Sequence, residues 1–88
     1  MKIKEGYVLR QVADNWVVLP VGKASVDFSG MLSLNESGTV LWRTLEKGCS
    51  LDGLADALLE EYDVTREQAE ADAREFIEVL RKVGCIED

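Results

Sequence analysis

The sequence predicts an α+β fold in which a three-stranded antiparallel sheet is followed by three helices. Segments rich in β-branched and aromatic residues fill the first part of the chain, and segments with helical periodicity fill the rest. Capping or stop residues separate the helical segments. With 88 residues, of which 47% are hydrophobic and 31% charged, the chain has the size and composition of one globular domain. We therefore expect residues 1–88 to form a single domain.

The first two strands form a predicted hairpin. Tyr7–Val12 (YVLRQV) has the β-branched and aromatic content of a half-buried strand, and Trp16–Leu19 (WVVL) has the same character. Asp14 and Asn15 lie between the two segments and are typical turn residues. Pro20 has no backbone N–H to donate, so it marks the end or the edge of the second strand.

A loop and a short third strand follow the hairpin. Residues 21–30 (VGKASVDFSG) are predicted as the loop, and a short extended piece at Ala24 to Asp27 is an alternative within it. The third strand is predicted at Met31–Leu34 (MLSL). Because side chains alternate across a strand, its two leucines share one face of the sheet.

The first two helices are bounded by capping residues. Asn35 and Ser37 are both good N-caps for the first helix, and Gly48 is a typical C-terminal stop. Ser50 caps the second helix. The apolar residues of this second helix recur on one helix face, at Leu51, Leu54, Ala55, Leu58 and Tyr62.

The third helix opens with the capping-box sequence TREQ at residues 65–68 and ends at Gly84. We expect Cys85 and Ile86 to fold back over the core. The inner face predicted for this helix consists of Ala69, Ala73, Phe76, Leu80 and Val83. The order of three strands and three helices gives the predicted fold a winged helix-turn-helix character.

The residues that commonly support catalysis or metal binding are missing or scattered. The chain has no histidine, and its two cysteines, Cys49 and Cys85, lie far apart in sequence. A metal site usually needs close pairs of Cys or His, and no P-loop, dinucleotide-binding or nucleophile-elbow motif occurs. The carboxylates fit a solvated helix face. We therefore predict a protein that is not an enzyme and has no catalytic residue, metal or cofactor.

The N-terminal sequence and the cysteines indicate a cytoplasmic protein. The segment MKIKEGYVLR lacks the apolar stretch of a signal peptide, and no apolar run approaches the length of a membrane span. Cys49 and Cys85 are interpreted as free, partly buried thiols in a reducing compartment. A disulfide that joins the end of the first helix to the C-terminus is the alternative.

The net charge of −7 is concentrated in the C-terminal half of the chain. Residues 1–48 carry six basic and five acidic side chains, whereas residues 49–88 carry four basic and twelve acidic ones. A helix-turn-helix protein could place its third helix in a DNA groove, but residues 65–78 contain two basic and five acidic side chains. Phosphate binding requires cations that replace counterions. Nucleic acid is therefore not expected as a partner.

The apolar and turn residues of the helical half also carry a resemblance to a known family. Their pattern is LN..G..LW..L..G..L..L...L...Y, followed by D...F...L...G. It consists of Leu34, Asn35, Gly38, Leu41, Trp42, Leu45, Gly48, Leu51, Leu54, Leu58, Tyr62, Asp72, Phe76, Leu80 and Gly84. In this pattern and in the order of its elements, the chain resembles the PqqD-like family, the stand-alone members of the RiPP recognition elements. The resemblance extends from about Tyr7 to Ile86.

The resemblance implies a non-catalytic protein that binds the leader segment of a ribosomally made precursor peptide. Such a protein presents the leader to a modifying enzyme, often a radical-SAM maturase. The namesake of the family serves pyrroloquinoline quinone (PQQ) biosynthesis, and the sequence does not distinguish this pathway from that of another peptide product. In the family the leader pairs with the third strand and lies in a groove walled by the third helix. Carried over to this chain, the implied peptide-binding residues are Phe28, Met31, Leu32, Ser33, Leu34, Ala69, Asp72, Ala73, Phe76 and Leu80.

A second interpretation of the third strand comes from another class of protein. The edge of a sheet presents unpaired N–H and C=O groups, which an extended peptide can satisfy by adding one more strand. A second copy of the chain could use the same groups, so a structural or regulatory module that forms a homodimer is the alternative. Leu32, Leu34 and Phe76 also fit ordinary core packing. The sequence does not separate these possibilities.

The composition predicts that the purified protein carries no stoichiometric zinc, iron or flavin, because it offers neither histidine nor a close cysteine pair. Elemental analysis and an absorbance spectrum measure this directly. A stoichiometric metal in the purified protein would contradict both this prediction and the expected absence of catalysis.

Overall fold

The computed structural model describes residues 1–22 and 32–87. Their elements, in chain order, are β1 Lys2–Ile3, β2 Tyr7–Val12, β3 Asn15–Pro20, β4 Leu32–Leu34, α1 Glu36–Lys47, α2 Leu51–Glu61, α3 Arg66–Val83 and β5 Ile86–Glu87. Strands β2, β3 and β4 form one antiparallel sheet in that order, and β1 pairs with β5 in a second one. The predicted arrangement of a three-stranded antiparallel sheet followed by three helices is confirmed. The predicted loop at 21–30 and the first residue of the predicted third strand, Met31, lie largely outside the described residues.

The β2–β3 hairpin turns one residue earlier than the sequence predicts. Val12 pairs with Asn15, so Ala13 and Asp14 form a two-residue loop and Asn15 belongs to β3. Ala13 has a φ of 56°, in the left-handed region that costs a non-glycine residue about 1–2 kcal/mol. Two-residue hairpin loops require positive φ at their first position. The pairing of the flanking strands therefore imposes this conformation on an alanine.

Side-chain caps begin all three helices. Asn35, Ser50 and Thr65 cap α1, α2 and α3, and each side-chain oxygen accepts a hydrogen bond from the backbone N–H three residues later, at 2.8, 3.2 and 3.1 Å. Of the two candidate caps for α1, the structure uses Asn35. The side chain of Gln68, predicted to complete a capping box, donates instead to Asp72 Oδ1 at 2.8 Å. None of the helices within residues 32–87 combines the length and the apolar character needed to cross a membrane.

The short strands β1 and β5 join the two ends of the described chain. Ile3 pairs with Ile86, and the Lys4 N–H donates to the Cys85 carbonyl at 3.0 Å. The sequence predicted that Cys85 and Ile86 return to the core, and both are buried. The pairing with the N-terminal residues was not predicted.

The core lies between the main sheet and the three helices. Its largest fully buried side chains are Val18, Trp42, Leu45, Leu54, Leu80 and Cys85. On α3, Ile77 is buried, whereas Phe76, which the sequence placed on the inner face, is only partly buried. Successive helical residues point about 100° apart. The middle of α3 is therefore rotated from the predicted orientation, and the ring of Phe76 lies at the margin of the core.

Replacement of Asn35 by alanine should lower the free energy of unfolding by about 1 kcal/mol, because the Gly38 N–H loses its acceptor at the start of α1. Asn35→Asp keeps an acceptor oxygen at this position and should remain close to the parent protein. Urea unfolding followed by circular dichroism measures both variants. Equal stability of Asn35→Ala and the parent would show that the cap contributes nothing.

Candidate functional site

Strand β4 is an edge of the main sheet. Among the described strands it pairs with β3 alone, and its partners in the register are Leu32 with Val18, Ser33 with Val17 and Leu34 with Trp16. In an antiparallel sheet, successive residues of a strand direct their N–H and C=O groups alternately to the two sides. The alternation along β3 therefore determines which groups of β4 face outward.

The β2–β3 ladder sets this alternation. The Val21 N–H donates to the Gly6 carbonyl at 2.7 Å, one pair beyond the end of the two strands. Hydrogen-bonded and non-hydrogen-bonded pairs alternate from there to the turn, and a two-residue loop is closed by a hydrogen-bonded pair. The bond at Val21 and the pair that closes the turn, Val12 with Asn15, give the same alternation. Odd-numbered residues of β3 bond to β2, and its even-numbered residues bond to β4.

Ser33 consequently points its N–H and C=O away from the sheet. Leu32 and Leu34 lie opposite even-numbered residues of β3 and use their own backbone groups in the ladder. Asn35 continues the extended backbone, with φ −80° and ψ −179°, but its carbonyl accepts the Thr39 N–H at 3.1 Å. The free edge therefore presents the backbone of Ser33 and ends at the cap of α1.

A groove with a volume of about 480 Å³ lies along this edge, between β4 and α3. Its lining residues are Leu32, Ser33, Leu34, Asn35, Ser37, Gly38, Leu41, Asp72, Glu75, Phe76 and Val79. The four that α3 contributes follow the spacing i, i+3, i+4 and i+7, which is one face of a helix. This face is acidic at Asp72 and Glu75 and apolar at Phe76 and Val79. The groove thus combines backbone groups of Ser33 that have no partner among the described residues with a wall that is partly apolar and partly acidic.

Gly38 lets the first turn of α1 approach both walls of the groove. A Cβ at this position would lie 3.1 Å from Asn35 Oδ1, 3.3 Å from Leu34 Cβ and 3.5 Å from Phe76 Cε1. The first two distances are shorter than ordinary van der Waals contact. Because Gly38 has no side chain, β4, α1 and Phe76 can lie this close together.

A second cavity of about 350 Å³ continues from the acidic end of the groove. It shares Asn35, Ser37 and Asp72 with the groove, and its remaining lining residues are Glu36, Leu58, Tyr62 and Val64. Partial burial, followed by the negative charges of Glu36 and Glu61, raises the pKa of Tyr62. This end of the site therefore combines the apolar side chains of Leu58 and Val64 with the carboxylates of Glu36 and Asp72.

The structure brings together half of the peptide-binding residues predicted from the sequence. Leu32, Ser33, Leu34, Asp72 and Phe76 all line the groove. Ala69, Ala73 and Leu80 do not, because they lie on the adjacent face of α3, which packs into the core, and are fully buried there. Phe28 and Met31 lie outside the described residues. The function of these residues as a binding site stays a prediction.

Several lining residues were not predicted. Glu75 and Val79 come from α3, and Asn35, Ser37, Gly38 and Leu41 come from the start of α1. Val79 carried a usable signal in the sequence, because it is an apolar residue three positions after Phe76 that lies outside the predicted inner face. In the structure it is 39% exposed. The contribution of α1 carried no such signal, since it depends on the close packing at Gly38.

The ion pairs of the described residues of α2 and α3 gather around Arg66 and lie away from the groove. Arg66 binds Asp52, Asp56 and Glu70 on the side where α2 meets α3, and hydrogen bonds to Asp56 and Glu70 raise the pKa of the guanidinium. The carboxylates of the groove have no such partner among the described residues. No group of three or more His, Cys, Asp and Glu in residues 1–22 and 32–87 is arranged to hold a metal ion.

The two cysteines are free thiols without the properties of a nucleophile. Burial raises the pKa of the Cys85 thiol to about 11, and burial also raises the pKa of Cys49. A higher pKa lowers the fraction of reactive thiolate at neutral pH. Neither cysteine lines the groove or the second cavity. The site therefore offers recognition through backbone groups, apolar contacts and negative charge.

Comparison with known proteins identifies a family and two similar structures. Residues 15–86 match the family model described as "Coenzyme PQQ synthesis protein D (PqqD)". The structure of TbiB1 in complex with the TbiA(beta) leader peptide is similar at a TM-score of 0.72 and 27% identity, covering 99% of this chain and 100% of that chain. Lasso peptide synthetase B1 complexed with the leader peptide has the same fold, at a TM-score of 0.74, 24% identity, and coverage of 96% and 93%. A comparison with curated proteins found no match.

In the native protein, a thiol reagent at mildly alkaline pH should modify Cys49 first and Cys85 only slowly. Cys85 is fully buried with a pKa of about 11, whereas Cys49 is partly exposed. Mass spectrometry of the modified protein measures both rates, and unfolding in urea should make them similar. The Cys49→Ser variant serves as the control, because it should lose the fast reaction. Equal rates at both cysteines in the native protein would contradict the burial of Cys85.

Proposed function

This chain belongs to the PqqD family, and from that membership we propose that it binds the leader segment of a ribosomally made precursor peptide. The observation that carries the proposal is the outward-facing backbone of Ser33 beside a groove walled by Phe76 and Val79. The similar TbiB1 structure holds a leader peptide, which supports the same class of ligand. The resemblance inferred from the sequence is confirmed at the level of the family.

The geometry of β4 indicates how a leader would bind. An extended chain beside β4 would donate to and accept from the Ser33 backbone, as one more strand of the sheet. Side chains of paired residues lie on the same face. Leader side chains beside Leu32 and Leu34 would therefore enter the groove, and the one beside Ser33 would lie on the other face. Two groove-facing side chains would be separated by one residue.

We propose that the leader is presented to a separate maturation enzyme, such as a radical-SAM maturase. The proposal of a separate enzyme is supported by the residues that line the two cavities. They include no histidine, cysteine or lysine that could act as a nucleophile or a general base. We further propose that the protein acts in the cytoplasm, where a ribosomally made precursor first becomes available. Self-association through the β4 edge is the alternative inferred from the sequence, and it would occupy the same backbone groups.

The decisive comparison is Ser33→Pro against Leu32→Pro, with a peptide selected from a random library on the parent protein as the probe. Ser33→Pro removes an outward N–H and no ladder bond, so it should keep the fold and bind the peptide about tenfold more weakly. Leu32→Pro removes a ladder donor and should destabilise the sheet by about 1–3 kcal/mol. Circular dichroism and fluorescence anisotropy measure folding and binding.

Ser33→Ala is the matched control, because it changes the side chain and keeps the backbone donor. It should bind the peptide like the parent protein. A folded Ser33→Pro variant with unchanged affinity would mean that ligands do not add to β4. Size-exclusion chromatography at several concentrations tests the alternative, since a dimer formed through this edge would dissociate in Ser33→Pro.

A further inference from the structure

The second cavity adjoins the proposed leader groove and shares Asn35, Ser37 and Asp72 with it. Asp72 lies at the junction of the two and lines both. It precedes Phe76 by four residues on the same face of α3, a separation of about 6 Å along the helix. Alternate residues of an extended chain are about 6.6 Å apart. A chain with one side chain against Phe76 therefore has another within reach of Asp72.

The carboxylates of this cavity, Asp72 and Glu36, form no ion pair with the described residues, and they lie beside apolar side chains of the same cavity. Arg66 forms ion pairs with Asp52, Asp56 and Glu70. Asp72 accepts a hydrogen bond from the neutral Gln68 amide, and no Lys or Arg is among the residues that line either cavity. Within residues 1–22 and 32–87, the chain thus supplies a cation to one group of carboxylates and none to Asp72 and Glu36.

The base of the cavity suits the stem of a long side chain. Leu58 is buried, Tyr62 is partly buried, and Val64 is 37% exposed at the rim. Lys and Arg side chains place their aliphatic stems on apolar surface and their charged ends near water or a carboxylate. Burial is the main cause of the raised pKa of Tyr62, and the negative charges of Glu36 and Glu61 add to it. An acidic or uncharged polar side chain would find no donor with a positive charge.

We infer that the second cavity is a subsite for a Lys or Arg of the bound peptide, with its stem on Leu58, Tyr62 and Val64 and its charge between Asp72 and Glu36. This inference rests on the proposed function, because the peptide that adds to β4 supplies the basic residue. The subsite would select leaders by charge, whereas backbone pairing at Ser33 is indifferent to sequence. The basic residue is expected about two positions from the apolar residue that contacts Phe76.

The test uses the whole protein and a random peptide library prepared by mRNA display. Peptides that bind the parent but not the folded Ser33→Pro variant define ligands of the groove. Among these, Lys and Arg should be enriched at one fixed distance from an apolar position. The variant Asp72→Asn, combined with Glu36→Gln, should bind a selected peptide about fivefold more weakly. The single variant Asp72→Asn keeps an oxygen that can accept the hydrogen bond from Gln68. It can therefore be measured in place of the double variant if the double variant does not fold.

Glu78→Gln is the control, because it removes one charge from an exposed residue of α3 that lines neither cavity. Its affinity should equal that of the parent. Replacing the basic residue of the peptide by norleucine should lower the affinity for the parent protein. The same replacement should leave the affinity for the double variant unchanged, as expected when the two charges interact directly.

The outcomes separate the two levels of the proposal. Groove peptides without a basic preference, or with affinities unchanged by Asp72→Asn and the double variant, would overturn the subsite and leave the proposed function intact. A selection that yields no peptide dependent on Ser33 would remove the proposed function, and the subsite with it.

Discussion

The site depends on how closely the first turn of α1 packs against β4 and α3. Gly38 is the point of contact, since a Cβ there would crowd Leu34, the Asn35 side chain and the ring of Phe76. A strand of three residues has few ladder bonds of its own, and short strands are stable only when their side chains pack. Leu32 and Leu34 of β4 pack against the core, and the absence of a Cβ at Gly38 lets α1 and Phe76 approach this strand. The same chain segment thus shapes the fold and the binding surface.

The elements of the fold could be predicted because each one is encoded locally. Asn35, Ser50 and Thr65 cap the helices, and the six residues of β2 carry a clear strand pattern. Features that depend on how strands pair with one another were not predicted. The turn at Ala13 follows from the register of its flanking strands, and β1 and β5 have two residues each, too few to show periodicity.

The binding site could be predicted in part, because a strand edge and a helix face are visible in the sequence but their relative rotation is not. Leu32, Ser33 and Leu34, which the sequence predicted as peptide-binding residues, line the groove. On α3, the small residues Ala69 and Ala73 were assigned to the site although their size suits the tight packing between helices, where they are fully buried. The sequence also did not show which carboxylates form ion pairs. In the structure Arg66 contacts carboxylates on another side of α3 and none in the groove.

The dual use of Asn35 makes the two ends of the groove unequal. Its side chain caps α1 and its carbonyl belongs to the first turn of that helix, so an added strand finds no further acceptor beyond this residue. A one-residue slip would also move every side chain of that strand to the wrong face. An inserted residue on the capped side must therefore loop out of the strand. An extended segment added beside β4 would therefore have to end, or to leave the sheet, where α1 begins.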